Sequence, residues 1–128
     1  MSIAHMGVLY ALLGSLGIGL LGPGLAGMLR LAIGRTWLIA DATDARNHLR
    51  GLNAMMAALG MIALWACWDI ERSRMLVLAL GVVMAVIVAA RLYSLLVDGP
   101  PGMTAMTYLA VEAVMGAVFL FWPPPPVG

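Results

Sequence analysis

Residues 75–97 read MLVLALGVVMAVIVAARLYSLLV, an apolar run in which Arg91 carries the only charge. A bilayer-crossing helix needs roughly 20 mostly apolar residues, so the run is long enough to span. An ionised side chain at the bilayer centre costs at least about 2.5–3.5 kcal/mol on insertion scales. The stretch therefore sets the class of protein and poses a question: what compensates Arg91?

Three further apolar segments flank it, at residues 3–21, 45–68 and 103–122. Gly22-Pro23-Gly24 breaks the first, because proline removes a backbone donor and crowds the preceding turn. Asp69-Ile-Glu-Arg-Ser-Arg74 separates the second from the third, and Asp98-Gly-Pro-Pro-Gly102 makes a tight turn into the fourth. With 63% hydrophobic residues, 10% charged residues and a mean hydropathy of +1.01, the 128 residues are expected to form a single domain. That domain is an all-α integral membrane protein with four transmembrane helices in an up-down bundle. Residues 123–128 form a proline-rich tail that stops the last helix.

Residues 25–50 are the longest polar-interrupted stretch. Leu25, Met28, Leu29 and Ala32 share a helical face, which suits a short interfacial helix over residues 25–33; alternatively the first helix kinks at Pro23 and continues. Thr43 or Asp44 is placed to cap the second span.

Net charge is +1 with no basic run, which argues against nucleic-acid binding. Cys67 is the single cysteine, so neither an intrachain disulfide nor a CxxC pair can form. All seven basic residues are arginine, and alanine, glycine and proline are abundant. That usage fits a high-GC bacterial genome, hence the bacterial inner (cytoplasmic) membrane. The N-terminal segment lacks the basic region of a removable signal peptide and is expected to remain as the first helix.

Four crossings put both termini and the 69–74 loop on one side, A, and residues 25–50 with the 98–102 turn on the other, B. Trp65, Trp68 and Trp122 then fall at the A boundary and Trp37 in the B stretch, as interfacial aromatics should. Outside the apolar runs, two arginines lie on side A (Arg72, Arg74) and four on side B (Arg30, Arg35, Arg46, Arg50). By the positive-inside rule side B is cytoplasmic.

Arg91 lies about 9 Å below the B boundary and Glu112 about 13–14 Å from it, at about 1.5 Å per residue. An arginine side chain bridges the remaining roughly 5 Å, so Arg91 and Glu112 are expected to pair. Tyr108, Glu112 and Gly116 share a face with Thr104 one turn earlier, and Tyr93 and Ser94 flank Arg91. Asn47, His48 and Arg50 open the second helix on the same side. The candidate polar cluster is Asn47, His48, Arg50, Arg91, Tyr93, Tyr108 and Glu112. It is either a satisfied network that fixes helix register or a ligand-binding cavity; a proton or ion path is the third reading.

Small residues recur every fourth position at Gly7, Ala11, Ser15 and Gly19, and at Gly81, Ala85 and Ala89, a pattern that permits close helix packing. His5 and His48 fall on opposite sides, each reading as a surface or interface residue, so they cannot share a metal or a haem. No metal site, cofactor, Ser-His-Asp arrangement or phosphate loop is readable.

The succession NHLRG, WDIERSR, ARLYSLLVDGPPG and a last helix carrying Glu112 and ending at Trp122 resembles the bacterial membrane family of domain of unknown function 4345. Asn47, Leu49, Arg50, Arg91, Gly99, Pro100 and Glu112 match its pattern over roughly residues 44–122. The resemblance implies a four-helix membrane protein with an arginine late in the third helix and a glutamate in the fourth. Leu52-Asn53-Ala54 departs from the glycines expected after the NxLR stretch. A looser similarity links the chain to the four-helix scaffold of ergosterol biosynthetic protein 28.

These readings point to a small multi-pass membrane protein acting as an accessory or scaffold subunit, or binding a hydrophobic, lipid-like ligand. Its expected partners are membrane lipid and a larger membrane complex or a second copy of itself. The alternatives are a small proton-coupled transporter and a membrane enzyme using His48 or Glu112 for proton transfer; enzyme activity is the weaker reading.

Overall fold

The computed structural model describes residues 1–29 and 43–128 and the side chains of 1–29 and 46–128. They form four helices: α1 (Ile3–Leu29), α2 (Thr43–Trp68), α3 (Arg74–Asp98) and α4 (Met103–Phe121). Each is long and apolar enough to cross a membrane, so the chain is an integral multi-pass membrane protein. Arg30, Arg35, Trp37 and the interfacial helix beyond Leu29 lie outside the described residues, as do the Thr43 and Asp44 side chains.

The first helix does not end at residue 21. α1 runs through Pro23 to Leu29, 27 residues, or about 40 Å at 1.5 Å per residue. Pro23 removes one intrahelical hydrogen bond and crowds the carbonyl four residues back. That carbonyl belongs to Gly19, and Gly22 and Gly24 flank the proline, so the ring meets little side-chain bulk. Pro23 itself is exposed, and membrane helices tolerate such a residue.

The described residues divide into two compact units, Leu13–Trp68 and the pair of segments Met1–Leu12 with Asp69–Gly128.

In the Leu13–Trp68 unit, the C-terminal part of α1 runs antiparallel to α2, and glycines set the spacing. A Cβ on Gly24 would lie 2.6 Å from the Ala57 nitrogen, and one on Gly60 would lie 2.5 Å from the Leu21 nitrogen. A Cβ on Gly17 would strike the Leu64 side chain. Backbones this close gain dispersion contacts without a hydrophobic driving force, which is how helices associate in lipid. The contact row of α1 is thus Gly17, Gly24 and Gly27. The stripe Gly7, Ala11, Ser15, Gly19 is exposed, and Cβ atoms on Gly7 and Gly19 would meet nothing within 4 Å among the described residues. Fourfold spacing picked the wrong face, because the row that packs follows spacings of seven and three.

Asn53 sits at the narrowest part of this contact, buried at 1% exposure. Its Nδ2 donates to the Leu49 carbonyl at 2.8 Å, and its side chain lies directly against Gly27. An asparagine in place of a glycine on α2 does not hold the helices apart, because α1 supplies the glycine instead.

In the other unit, α3 and α4 form an antiparallel hairpin around Val77, Leu80, Met84, Met115 and Phe119, all buried. A Cβ on Gly81 would lie 2.9 Å from the Leu120 side chain, and one on Gly116 would lie 3.2 Å from the Met84 Cβ. The hairpin turn begins at Gly99, whose φ of 91° with ψ of −178° is an extended positive-φ conformation open essentially to glycine alone. Pro100 and Pro101 follow, where a helix cannot continue.

The start of α1 joins the opposite end of this hairpin. Ser2 Oγ accepts from the His5 backbone N–H at 3.1 Å, an N-terminal cap. The His5 ring stacks on Trp122 at 4.2 Å between centroids and its Nε2 donates to the Trp122 carbonyl at 2.7 Å. Nearby, Arg74 donates to the Pro124 carbonyl, and Pro124 is fully buried. His5 is therefore a buried packing residue (7% exposed), and the proline tail is docked along part of its length. The N-terminus, the start of α3 and the C-terminal end of α4 share one end of this unit, as an even number of crossings requires.

A paired arginine and glutamate beside a cleft

The α3–α4 hairpin fixes both members of the expected ion pair. Glu112 lies one turn before the close approach at Gly116, where α4 comes near Met84 and Ala85 of α3. Seven residues after Met84, two helical turns, α3 presents Arg91 on the same side. Arg91 Nε donates to Glu112 Oε2 at 2.5 Å and Nη2 donates to Oε1 at 2.9 Å. Two parallel charge-assisted bonds define both position and orientation. Side-chain exposure is 37% for Arg91 and 18% for Glu112, measured before any lipid covers the helices.

Of the seven candidate residues, Arg91 and Glu112 are joined directly. Tyr93 and Tyr108 are 67% and 56% exposed, and neither bonds to the pair. Tyr108, four residues before Glu112, sits outside because the row facing α3 is Ala105, Leu109, Glu112 and Gly116. Both rows obey helical spacing, and only the packing partner distinguishes them.

Asn47, His48 and Arg50 belong to the other unit. Asn47 and His48 are exposed on the first turns of α2. Arg50 Nη1 donates to the carbonyls of Met28 and Leu29, the last two described residues of α1. A cation there satisfies orphan carbonyls and complements the negative end of the helix dipole.

Beside the ion pair lies a partly open cleft of about 190 Å³, lined by Arg91, Ser94, Leu95, Pro101, Ala105 and Leu109. The two bonds to Glu112 use two of the five N–H groups of Arg91 and leave both on Nη1 and one on Nη2 without a protein partner among the described residues. Ser94 Oγ, also on the cleft, donates to Asp98 Oδ2 at 2.8 Å. The other four lining residues are apolar. Of these six, Leu95, Pro101, Ala105 and Leu109 escaped the sequence reading, which followed polar residues; the i, i+4 pair Ala105 and Leu109 was the available signal. Among the described residues, no group of three or more His, Cys, Asp or Glu side chains could hold a metal ion.

The family model for the domain of unknown function DUF4345 matches residues 4–123. The chain belongs to this family. No curated protein and no solved structure matches it. As a DUF4345 protein it is a small multi-pass membrane protein, and the Arg91–Glu112 pair with its cleft is a physically explicit candidate site on this scaffold.

Proposed function

We propose that this DUF4345 protein binds a hydrophobic, lipid-like molecule in the cleft beside Arg91, in the bacterial inner membrane, as an accessory rather than a catalytic component. The observation that carries the reading is the unused Nη1 of a membrane-embedded guanidinium beside an apolar cleft. Fixing register needs only the two bonds to Glu112. A spare donor inside lipid is costly unless something accepts from it, and a ligand oxygen would do so. An intramembrane ionisable group is a functional-site candidate by default.

A transporter reading is less well supported. Both oxygens of Glu112 are held by Arg91, so a proton or cation would have to break a bidentate pair to reach the carboxylate. An accessory role with a protein partner is favoured by the face of α1 where Gly7 and Gly19 meet no other group among the described residues.

The test is extraction of the protein in a mild detergent, purification and mass analysis of co-purifying apolar material, beside the double variant Arg91→Leu, Glu112→Leu. The expected result is a stoichiometric apolar molecule with the wild type that is missing from the double variant. Equal material with both, or none with the wild type, removes the cleft from consideration. A tight protein partner with no apolar ligand replaces this reading with the accessory-subunit one.

A further inference from the structure

The cleft specifies the chemistry of its occupant more narrowly than "lipid-like". We infer that it takes a neutral head about the size of one six-membered ring, carrying a carbonyl or hydroxyl oxygen that accepts from Arg91 Nη1, on an apolar body. This rests on the ligand-binding reading above.

Charge decides the first part. Among the described residues Arg91 is the only charged one lining the cleft, and Glu112 already neutralises it through two hydrogen bonds. The nearest further charge on α3 is Asp98, an anion bonded to the lining residue Ser94. An anionic head would enter a site holding one cation and bordered by two carboxylates. It could reach the free N–H groups of Arg91, but it would add an uncompensated negative charge beside Glu112 and Asp98 in lipid. An ammonium head is drawn toward the two carboxylates but finds both engaged, Glu112 by Arg91 and Asp98 by Ser94, while arginine itself offers donors only. A neutral oxygen takes the free N–H and disturbs neither charge.

Size decides the second part. A buried apolar cavity of about 150 Å³ admits benzene, and this cleft is about 190 Å³. It has room for one ring with its oxygen and is open on one side. Leu95, Pro101, Ala105 and Leu109 offer the ring apolar walls, and the partly open side lets a hydrocarbon body extend into lipid. The ester region of a diacyl lipid shares the neutral oxygen, but with two branching chains it matches the volume poorly.

The decisive experiment titrates detergent-solubilised protein, ¹⁵N-labelled, with four probes: 4-pentylcyclohexanone, 4-pentylcyclohexanecarboxylate, 4-pentylcyclohexylamine and dioleoylglycerol. Readouts are the Arg91 Nε–H resonance and the backbone amides of Leu95, Ala105 and Leu109. The ketone is expected to shift these saturably, with a Kd at least about tenfold below those of the carboxylate and the amine. Ala105→Phe, which fills the cleft against Arg91, should abolish the ketone-dependent shifts while the Arg91 Nε–H resonance, at its own new position, stays slowly exchanging as a paired guanidinium. The four-probe comparison on wild type does not depend on that variant folding. A carboxylate or amine that binds as tightly as the ketone overturns the neutral-head inference while leaving a ligand site in place. Tighter binding of dioleoylglycerol overturns the size argument. No saturable shift with any probe overturns this inference, and a co-purified apolar adduct on the wild type would then leave the broader ligand reading standing.

Discussion

Arg91 of α3 and Glu112 of α4 exchange two hydrogen bonds, Nε to Oε2 at 2.5 Å and Nη2 to Oε1 at 2.9 Å. Each charge satisfies the other at a depth where neither could stand alone. The hairpin therefore carries two ionised groups into the membrane as one neutral, oriented unit.

Removing one partner should cost more than removing both. Glu112→Gln or Arg91→Leu is expected to destabilise the protein by about 2–4 kcal/mol, because each leaves one buried group uncompensated. The double variant Arg91→Leu, Glu112→Leu should lie within about 1 kcal/mol of wild type, as apolar replacement of a buried pair is often neutral. Thermal unfolding in a fixed detergent, followed by circular dichroism, measures the difference. Equal losses in single and double variants would show that the two charges act independently.

The glycine row on α1 makes a positional forecast. Gly24→Ala and Gly60→Ala push a Cβ into backbone atoms and should each cost about 1–3 kcal/mol through overpacking. Gly7→Ala and Gly19→Ala meet open space and should be neutral, or stabilising by up to about 1 kcal/mol from helix propensity. Unfolding midpoints of the four variants decide whether the row at Gly17, Gly24 and Gly27 is the one that packs.

Gly27 and Asn53 should be energetically coupled. Gly27→Ala strikes the Asn53 side chain rather than rigid backbone, so Asn53→Ala should relieve the clash. Asn53 Oδ1 is buried without a hydrogen-bond partner, so losing it sacrifices only the bond to Leu49. A double-mutant cycle should show a coupling of about 1 kcal/mol or more. Simple additivity would mean that the two side chains do not meet.

The docked tail should loosen when its anchors go. His5→Ala removes the stack and the hydrogen bond to Trp122, and Arg74→Gln weakens the hold on Pro124. Each should cost about 0.5–2 kcal/mol. A spin label placed at Val127 should become more mobile in both. Unchanged mobility would mean that other contacts hold the tail.

Much of this was legible in the sequence, and the reasons differ by residue. Length and apolarity sufficed for four spans, because bilayer thickness sets a length that few other folds demand. The Arg91–Glu112 pair followed from depth arithmetic, since a buried charge must find a partner and the hairpin left one within reach. Pro23 misled because its helix-breaking rule belongs to helices that can unravel into water; in lipid the backbone has no other partner to turn to. The α1 stripe misled because fourfold and heptad spacings both describe one face of a helix, and only α2 selects between them. His5 and Pro124 could not be placed, because their contacts join residues more than a hundred and about fifty positions away, respectively.

The most direct test of the ligand-binding cleft is native mass spectrometry of detergent-extracted wild type beside Ala105→Phe. The expected result is one small apolar adduct per chain on the wild type and a bare chain for Ala105→Phe, whose side chain fills the cleft and keeps both members of the ion pair in the sequence. An adduct of equal occupancy on both proteins, or a bare chain in both, would contradict a binding role for the cleft beside Arg91.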